Sequence, residues 1–558
     1  MATTGSPRPA RQACDACRQR KRRCVLLTLA QTTTGRCHNC ERAGSRCTFL
    51  LPLRTRGPKR KTDHDQNHQR LLAWRLPDTS SSTTTYATDI LCPRELVRVL
   101  VDDYVRYIYP LLPVVHLPSF TAAVDRGRDA DDGDLLALAV SLCAATVALL
   151  PSRLGAYREH PTAPLPFRTR AEVAGHCYRL HLGFRRDTHY FDTVSHARWA
   201  SSYLLGIAFH QAGNINLWRM LEVEAMQLLR LLEVHHPPAY RGLDPVEAQL
   251  RKKAFWLMFY GYVHEAHNLR RERLTFLDPV LLGAVNLDDL IPAPLDDHFI
   301  TPRGFLPCPA DVSAASLAAG FNIHSRVFSA ALGFAPVAAA PACCCQAQAQ
   351  ASPRSRLAEL REQHRRLKHM LDTVVPTYAP PYHHHHHHHH DNDSMATSTI
   401  QRESIRANIH VTHLWLQSAL LDQIDALQQQ QQQPVIATTG HVSWDEREDI
   451  CRQLLHTVHS ISFSGLEANG LSLVYKIRDV ASTLLAYPFD NASHDDDDDR
   501  RDRRAAEHLR DLSSLLSRLD VSETPSSLSL QSWVDTSRCR PGRHHDDGDD
   551  GDDGGSGQ

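Results

Sequence analysis

Six cysteines arranged as a repeat constrain the fold of this chain more than any other feature of its sequence. The pattern C-x2-C-x6-C occurs twice, and twelve residues separate the two copies. A structural zinc ion takes four protein ligands, so a single zinc would leave two of the six cysteines unused. Two zinc ions need eight ligand positions, which six thiolates fill if two sulfurs bridge the ions. The repeat therefore predicts a cofactor of two Zn²⁺ ions held by Cys14, Cys17, Cys24, Cys37, Cys40 and Cys47.

Other uses of cysteine fit this pattern less well. Either C-x2-C pair alone is also typical of a redox motif, but two pairs with matched third cysteines argue against that alternative. Fifteen cysteines in 558 residues do not make a disulfide scaffold. The N-terminus has no charged start followed by an apolar core, so no secretory signal is expected. We therefore expect a reducing compartment, where clustered cysteines more often bind metal than form disulfides.

The charge of the chain is strongly asymmetric, although the total is only −1. Residues 1–61 contain 15 lysines and arginines but only two acids, a net charge of +13, whereas the remainder carries −14. Five of these cations lie between Cys17 and Cys24, where we predict about a turn and a half of helix. Such a helix can contact phosphates and enter a major groove of double-stranded DNA. The predicted DNA contacts are Arg18, Arg20, Lys21, Arg22 and Arg23, together with a second basic run that also suits nuclear import, Arg54, Arg56, Lys59, Arg60 and Lys61.

The cysteine repeat resembles the fungal binuclear zinc cluster transcription factors, the Zn2Cys6 family, over residues 14–47. The resemblance implies that all six cysteines are zinc ligands and that Cys14 and Cys37 bridge the two ions. It also implies that Lys21 contacts the bases of a CGG triplet, while the neighbouring arginines contact phosphates. A nuclear regulator of RNA polymerase II genes, and a homodimer on paired triplets, are further implications. The loop over 25–36 departs from the family pattern, because it has no proline before the fourth cysteine.

The remaining sequence predicts a mostly α fold, in which a small binuclear zinc cluster domain precedes a large all-helical regulatory domain with disordered insertions. Apolar residues recur at helical spacing, prolines separate the segments, and no βαβ rhythm is present. Polar and low-complexity segments mark the boundaries. The predicted organisation is a disordered N-terminus (1–13), a Zn2Cys6 DNA-binding domain (14–47), a basic linker arm (48–61), a polar linker (62–88), a helical regulatory domain (89–490) with insertions at 335–356, 377–398 and 428–440, and an acidic, mostly disordered tail (491–558).

Hydrophobic periodicity predicts individual helices in the regulatory region. Leu135–Leu150 is almost wholly apolar over 16 residues, short of the roughly 20 that a membrane span needs. We therefore predict a buried core helix there and no membrane partner. Residues 354–374 predict a single surface helix, in which His364 breaks a row of leucines. Further helices are predicted over Leu96–Ile108, Ala197–Gln211, Leu217–Leu232 and Lys252–Leu269.

Two stretches of this region resemble the fungal-specific transcription factor regulatory domain, namely Tyr104–Phe120 and Arg251–Leu277. The segments FLLPLRTRGPKRK, after the cluster, and LVYKIRDVASTLL, at 473–485, resemble the branch of the family that regulates maltose and starch use. That resemblance implies control of carbohydrate utilisation, and a regulator of another pathway such as secondary metabolism is the alternative. The aromatic residues expected in the core of the second stretch are Phe255, Trp256, Phe259 and Tyr260.

The sequence predicts that the chain is not an enzyme, because residues 89–490 contain no recognisable catalytic constellation. His264, Glu265 and His267 form the sequence HEAH, which lacks the HExxH spacing of a helical zinc site. The alternative hypothesis is an interaction scaffold or an enzyme whose cysteine cluster binds protein rather than DNA. A transcriptional coactivator is a further expected partner, and its candidate contacts before the acidic end are Leu528, Leu530, Trp533 and Val534.

Overall fold

The computed structural model describes residues 8–9, 14–21, 24–26, 37–48, 87–185, 190–267, 285–330, 353–379, 393–431, 440–485 and 496–519. The chain divides into two compact units, residues 1–83 and 84–558. The first unit is built around cysteine sulfur, and the second around a large apolar core. The predicted basic arm, most of the polar linker and the candidate coactivator segment lie outside the described residues.

The first unit contains two short helices and a two-stranded antiparallel sheet. Helix α1 spans Asp15–Gln19, α2 spans His38–Arg42, and β1 (Arg8–Pro9) pairs with β2 (Val25–Leu26). Its buried cluster contains five of the six predicted zinc ligands, with the sixth packed against them. Thiols supply little hydrophobic free energy, so we expect metal binding to supply most of the free energy of folding.

The second unit is almost entirely helical, which confirms the predicted mostly α fold class. Within its described residues, β3 (Ile300–Thr301) and β4 (Gly304–Phe305) form a hairpin, and a π-helical turn over Tyr104–Ile108 continues α3. The helices are α3 (Arg94–Asp103), α4 (Leu117–Asp125), α5 (Gly133–Leu149), α6 (Leu154–Arg158), α7 (Arg170–Phe184), α8 (His196–Gln211), α9 (Ile215–Leu231), α10 (Pro245–His267), α11 (Ala310–Ala314), α12 (Leu317–Ser329), α13 (Pro353–Lys368), α14 (Asp393–Gln431), α15 (Gly440–His459), α16 (Phe463–Glu467), α17 (Gly470–Leu485) and α18 (Asp496–Leu519).

Helix α5 lies in the middle of this core and packs against α3, α7 and α8. The Asp132 side chain caps its first turn by accepting a hydrogen bond from the backbone N–H of Leu135 at 3.0 Å. The buried hydroxyls of Ser141 and Thr146 are not left unpaired, because they donate to carbonyls one turn earlier at 2.7 and 2.9 Å. The prediction of a buried core helix is therefore confirmed.

A membrane span was the competing interpretation of the same stretch. Among the described residues, no single helix has both the length and the apolar character to cross a membrane. One pair bent by 93°, α5 with Pro151–Arg158, meets that test only when the two segments are joined, on length and composition alone.

The long helix α14 forms the second organising element and packs against α12, α13, α15, α16 and α17. Its apolar side chains are buried along most of its length because neighbours surround it on several sides, as is expected for a helix that is apolar on more than one face. The leucine row on α13 packs on α14, and His364 is itself buried within that row instead of interrupting it.

Most of the predicted helices occur with shifted ends. Leu96–Ile108 corresponds to α3 and its π-helical turn, and Ala197–Gln211 to α8. Leu217–Leu232 corresponds to α9, and Lys252–Leu269 to α10, which begins seven residues earlier, at Pro245. Three of the four expected core aromatics of α10 are fully buried and the fourth is 8% exposed.

The predicted acidic, mostly disordered tail over 491–558 is wrong for its first part. Residues 496–519 form α18, which packs against α15 and α17. Its N-terminal half is highly charged, and the four aspartates at its start suit the positive end of the helix dipole, while an apolar stripe at helical spacing lies mostly in its C-terminal half. The buried members of the stripe are Ala505, Leu512, Leu515 and Leu516.

The predicted insertions are also too wide at their edges. Helix α13 already begins at Pro353 and α14 at Asp393, and a 3-10 turn spans Pro376–Tyr378. Helix α14 continues to Gln431 because glutamine has a good helix propensity, so a short glutamine run can extend a helix that is anchored elsewhere. The central parts of the three insertions lie outside the described residues.

Several histidines of the second unit are buried in neutral form. On α14, the ring Nε2 of His410 hydrogen-bonds the carbonyl of Tyr378 at 2.9 Å, and Nε2 of His413 hydrogen-bonds that of Leu367 at 2.6 Å. Burial lowers the pKa of both imidazoles from 6.5 to about 4. It also lowers the pKa of His364 to about 4 and that of His181 to about 3.

These histidines predict that the second unit loses stability in mild acid. Between pH 6.5 and about pH 4 these histidines are protonated in the unfolded chain but not in the folded chain. The stabilisation is therefore complete above pH 6.5 and is lost as the pH falls towards 4. Each such histidine contributes about 1.4 kcal/mol per pH unit in that window. We expect His413→Gln, which stays neutral, to flatten the fall of the urea midpoint between pH 7 and 5, whereas His459→Gln, at an exposed site, serves as the control and leaves it unchanged. An equal slope in both variants would contradict this.

Candidate metal centre and nucleic-acid interface

Each half of the cysteine repeat begins with a cysteine that caps a five-residue helix. Cys14 and Cys37 are extended, with ψ of 160° and 153°, and α1 and α2 follow them directly. The next cysteine lies three residues later, where a helix places side chains on the same face, so Cys17 and Cys40 turn back towards their capping partners. Two sulfurs are thus delivered by one helical turn in each half.

A left-handed residue then ends each helix. Lys21 has φ 51° and Gly44 has φ 59°, and each lies seven residues after the first cysteine of its half. The backbone N–H of Lys21 donates to the carbonyl of Arg18 at 3.2 Å, closing the turn. This reversal brings the chain back so that the third cysteine, Cys24 or Cys47, can reach the cluster.

The helix predicted over Arg18–Arg23 is therefore wrong. Helix α1 starts earlier and ends at Gln19, with Arg20 as its last half-helical residue. A helix continued through the basic segment would advance about 1.5 Å per residue and carry Cys24 about 10 Å along the axis from Cys17. Closing the cluster requires the chain to turn instead.

The sulfur atoms converge at distances that suit zinc. Cys14 Sγ lies 3.5 Å from Cys40 Sγ and 3.7 Å from Cys37 Sγ, and Cys17 Sγ lies 3.7 Å from Cys37 Sγ. The sulfurs of these four residues all lie within 4.8 Å of one another. Around a tetrahedral zinc with Zn–S bonds of about 2.3 Å, sulfurs are separated by about 3.8 Å. The soft, buried thiol set therefore fits zinc.

The two remaining cysteines complete the cluster from its sides. Cys24 is buried, and Cys47 Sγ accepts a hydrogen bond from the backbone N–H of Cys37 at 3.4 Å. Burial raises the pKa of Cys24 to about 12 and also raises the pKa of Cys17, Cys40 and Cys47.

The two helix-capping thiols behave differently. Burial raises their pKa too, but hydrogen bonds from the backbone N–H groups of Cys17 and Cys40 and from neighbouring thiols outweigh it. The net effect lowers the pKa of Cys14 and brings that of Cys37 to about 6. Helix N-termini favour thiolates in this way, and thiolate is the form that binds metal.

A family match covers the same N-terminal cysteines. Residues 12–56 match the family described as "Fungal Zn(2)-Cys(6) binuclear cluster domain". The N-terminal region belongs to this family. The match confirms the resemblance found in the sequence, and, because the family binds two zinc ions, it confirms the predicted cofactor.

Two curated relatives extend the similarity beyond the Zn(2)-Cys(6) domain. The "Maltose fermentation regulatory protein MAL63" of Saccharomyces cerevisiae is 24% identical over 304 residues, covering 53% of this chain and 56% of that protein. The "Maltose fermentation regulatory protein MAL13" of Saccharomyces cerevisiae (strain ATCC 204508 / S288c) is 24% identical over 278 residues, covering 47% and 52%. The chain spans about half the length of these relatives.

A polar clamp joins the two ends of the Zn(2)-Cys(6) domain, and the sequence analysis missed it. The backbone N–H of Asp15 donates to the carbonyl of Thr48, and the Thr48 hydroxyl donates to the Asp15 carboxylate, both at 2.8 Å. Asn39 Nδ2 also points at Cys17 Sγ, 3.9 Å away. An acid and a threonine directly beside the first and last cysteines are the signal that could have indicated this closure.

The predicted DNA contacts are only partly within the described residues. Arg20 and Lys21 are exposed, and Arg18 is half-buried on α1. The other seven predicted contacts lie outside the described residues, namely Arg22, Arg23, Arg54, Arg56, Lys59, Arg60 and Lys61.

The cluster geometry predicts that its cysteines act as one unit. We expect the native full-length protein to carry two zinc ions, and Cys17→Ser or Cys40→Ser to lose at least one and to release the rest faster to a chelator. Elemental analysis of the purified proteins and the rate of zinc release measure this. The control Cys308→Ser, a partly exposed cysteine of the second unit, should keep both ions. Native zinc content and release rate in Cys17→Ser would contradict the assignment.

Proposed function

We propose that this protein is a zinc-dependent, sequence-specific DNA-binding transcription factor that acts in the nucleus on RNA polymerase II genes. All six repeat cysteines serve as ligands, and Cys14 and Cys37 bridge the two ions. The observation that carries the proposal is the convergence of four cysteine sulfurs within 4.8 Å inside a segment of net charge +13. A rigid, metal-folded unit with that excess of positive charge suits a polyanion.

The backbone of Lys21 supports its assignment to base contacts. A residue with a side chain in the left-handed region costs roughly 1–2 kcal/mol, and the equivalent position in the second half is Gly44, which pays no such penalty. Strain of this kind, held at an exposed lysine, indicates that the side chain is needed there. Lys21 contacts CGG-like triplets in this proposal, and the arginines around it contact phosphates.

The regulated pathway is proposed from the relatives. Both are named maltose fermentation regulatory proteins, and the similarity covers about half of each. We infer that this chain controls carbohydrate utilisation, with maltose or starch as the sugar source. It binds its sites as a homodimer, so that paired triplets are recognised together.

The first test is selection of bound sites from random DNA duplexes with the full-length, zinc-loaded protein. We expect enrichment of paired CGG-like triplets, whose spacing and orientation the selected sequences would give directly. Affinity for the selected duplex should fall steeply between 50 and 200 mM salt, by on the order of a thousandfold for six or more phosphate contacts. No enriched sequence, with an affinity indifferent to salt, would instead favour a zinc module that binds protein.

Variants at Lys21 separate base recognition from folding. Glycine adopts positive φ freely, so Lys21→Gly should keep both zinc ions and melt at or above the native temperature while losing roughly 1–3 kcal/mol of preference for the selected triplet. Lys21→Ala should lose the same preference but be slightly less stable than Lys21→Gly, because alanine brings a Cβ into the left-handed region as lysine does. The control Arg46→Ala, which removes an exposed cation of the second half, should keep the native triplet preference. A native triplet preference in Lys21→Gly would refute the assignment.

A further inference from the structure

A cavity of about 220 Å³ lies inside the helical unit, where α8, α9, α10, α14 and α17 meet. A water molecule occupies about 30 Å³ in the liquid, so the cavity has room for about seven water-sized groups. Nothing in the proposed DNA binding uses it. Its size suits a small molecule held within this one unit.

Aromatic rings from different helices form much of the cavity wall. The indole of Trp415 on α14 is covered on one face by the stacked ring of His264, with 5.0 Å between centroids and 22° between planes. Elsewhere in the lining, the ring of His210 lies 4.3 Å from that of Trp218. Such rings offer flat apolar faces against which the C–H groups of a ligand can pack. The aromatic members of the lining are Tyr203, Trp218, Tyr260, Trp415 and Tyr475.

One buried polar group in the lining lacks a partner. Asn469 is 7% exposed, and its Nδ2 donates to the carbonyls of Ser404 and Gly465 at 3.2 and 2.9 Å. These two bonds fix the orientation of the amide, because only the nitrogen can donate. Its Oδ1 is buried without a hydrogen-bond partner among the described residues. A buried acceptor left in this state destabilises the protein unless a ligand or water donates to it.

A second group in the lining is an amine that is incompletely satisfied. Lys476 is 2% exposed, and its Nζ donates to Thr412 Oγ1 at 2.7 Å. The amine also lies 5.3 Å from the ring centroid of Phe328 and 5.8 Å from that of Trp415. Among the described residues no carboxylate lies within ion-pair distance of it. Burial lowers its pKa to about 7, and one hydrogen bond leaves its other N–H groups available to an acceptor.

The charges around the cavity limit which ligand can satisfy these groups. Glu222 and Asp479 also line it, so an anionic ligand would meet two carboxylates and one amine. Asp479 is already engaged, since it pairs with Arg478 at 3.2 Å and accepts from Trp415 Nε1 at 3.3 Å. A purely apolar ligand would leave the Asn469 oxygen and the Lys476 amine unpaired, which is unfavourable in a buried site. Hydroxyl groups both donate and accept, so a ligand rich in them satisfies both.

We propose that this cavity is a binding site for a small neutral polyhydroxylated ligand, of the size and chemistry of one sugar ring, either a monosaccharide or one unit of a disaccharide. The ligand donates one hydroxyl to Asn469 Oδ1, accepts from Lys476 Nζ, and packs its C–H face on the tryptophans. Amide and hydroxyl side chains at Gln211, Asn408 and Ser472 extend the polar part of the same wall. This inference deepens the proposed control of carbohydrate utilisation and rests on it for its biological meaning.

The test uses the full-length, zinc-loaded protein titrated with glucose, maltose and cellobiose, and with citrate as the anionic probe. Binding is followed by calorimetry and by tryptophan fluorescence, because two tryptophans line the cavity. We expect saturable binding of at least one sugar, with a change in fluorescence, and none of citrate. Binding of citrate alone, or no saturable binding of any sugar, would overturn the proposal.

Two variants test whether the sugar binds in this cavity. Gly261→Leu on α10 fills it, since a Cβ there meets only the flexible end of Glu222, at 3.7 Å. The control Gly183→Leu makes the same change on α7 at an exposed helical glycine with nothing within 4 Å. Lys476→Met removes the amine and keeps the length of the side chain. We expect sugar binding to weaken about tenfold or more in Gly261→Leu and Lys476→Met, and to stay native in Gly183→Leu.

Melting temperatures and DNA binding measured on the same samples separate the possible failures. A variant that melts as the native protein does and binds sugar with native affinity shows that the cavity is not the site. Loss of triplet selection with sugar binding intact would sink the DNA proposal alone. Triplet selection without sugar binding would sink the cavity proposal alone.

Discussion

The N-terminal unit depends on one constraint, which is that its cysteine sulfurs must meet at one buried centre. Its interior consists of sulfur, so every backbone feature serves delivery of those atoms. In each half, a capping cysteine, one helical turn and one left-handed residue bring three sulfurs together within eleven residues. The hydrogen bonds between Asp15 and Thr48 then tie the start of the first half to the end of the second.

The helical unit depends instead on apolar burial, and most of its buried charged side chains pair with an opposite charge. Asp297 illustrates this, since it accepts hydrogen bonds from Lys253 Nζ at 2.9 Å, from the Tyr109 hydroxyl at 2.5 Å and from the backbone N–H of Leu117 at 2.8 Å. Such closure joins α10 to the turn before α4. At the cavity the pattern changes, since Lys476 is equally buried but, within the described part of the chain, has no carboxylate at ion-pair distance. A buried amine with unused N–H groups, lining a cavity, is the kind of arrangement that a ligand can complete.

Local patterns were predictable from sequence, and features that depend on distant parts of the chain were not. The cysteine repeat and the helical periods are local, and they gave the zinc cofactor and most of α3, α8, α9 and α10. The turn at Lys21 depends on where Cys24 must go, which charge spacing does not show. Helix α18 was not predicted, because its aspartates and arginines outnumber its buried leucines and give the segment the composition of a disordered tail. The cavity lining comes from residues as far apart as Leu111 and Asp479, so no sequence window contains it.

The two halves of the repeat share a backbone conformation but differ in charge, and this difference bears on the roles proposed for them. The segment between the second and third cysteines is RQRKRR in the first half and ERAGSR in the second, a net charge of +5 against +1. Equivalent residues Lys21 and Gly44 adopt the same left-handed conformation, so folding alone requires no side chain at this position. Because the scaffold is duplicated, the added cations of the first half cannot be explained by metal binding. They support the proposal that the first half meets DNA while the second half completes the metal cage.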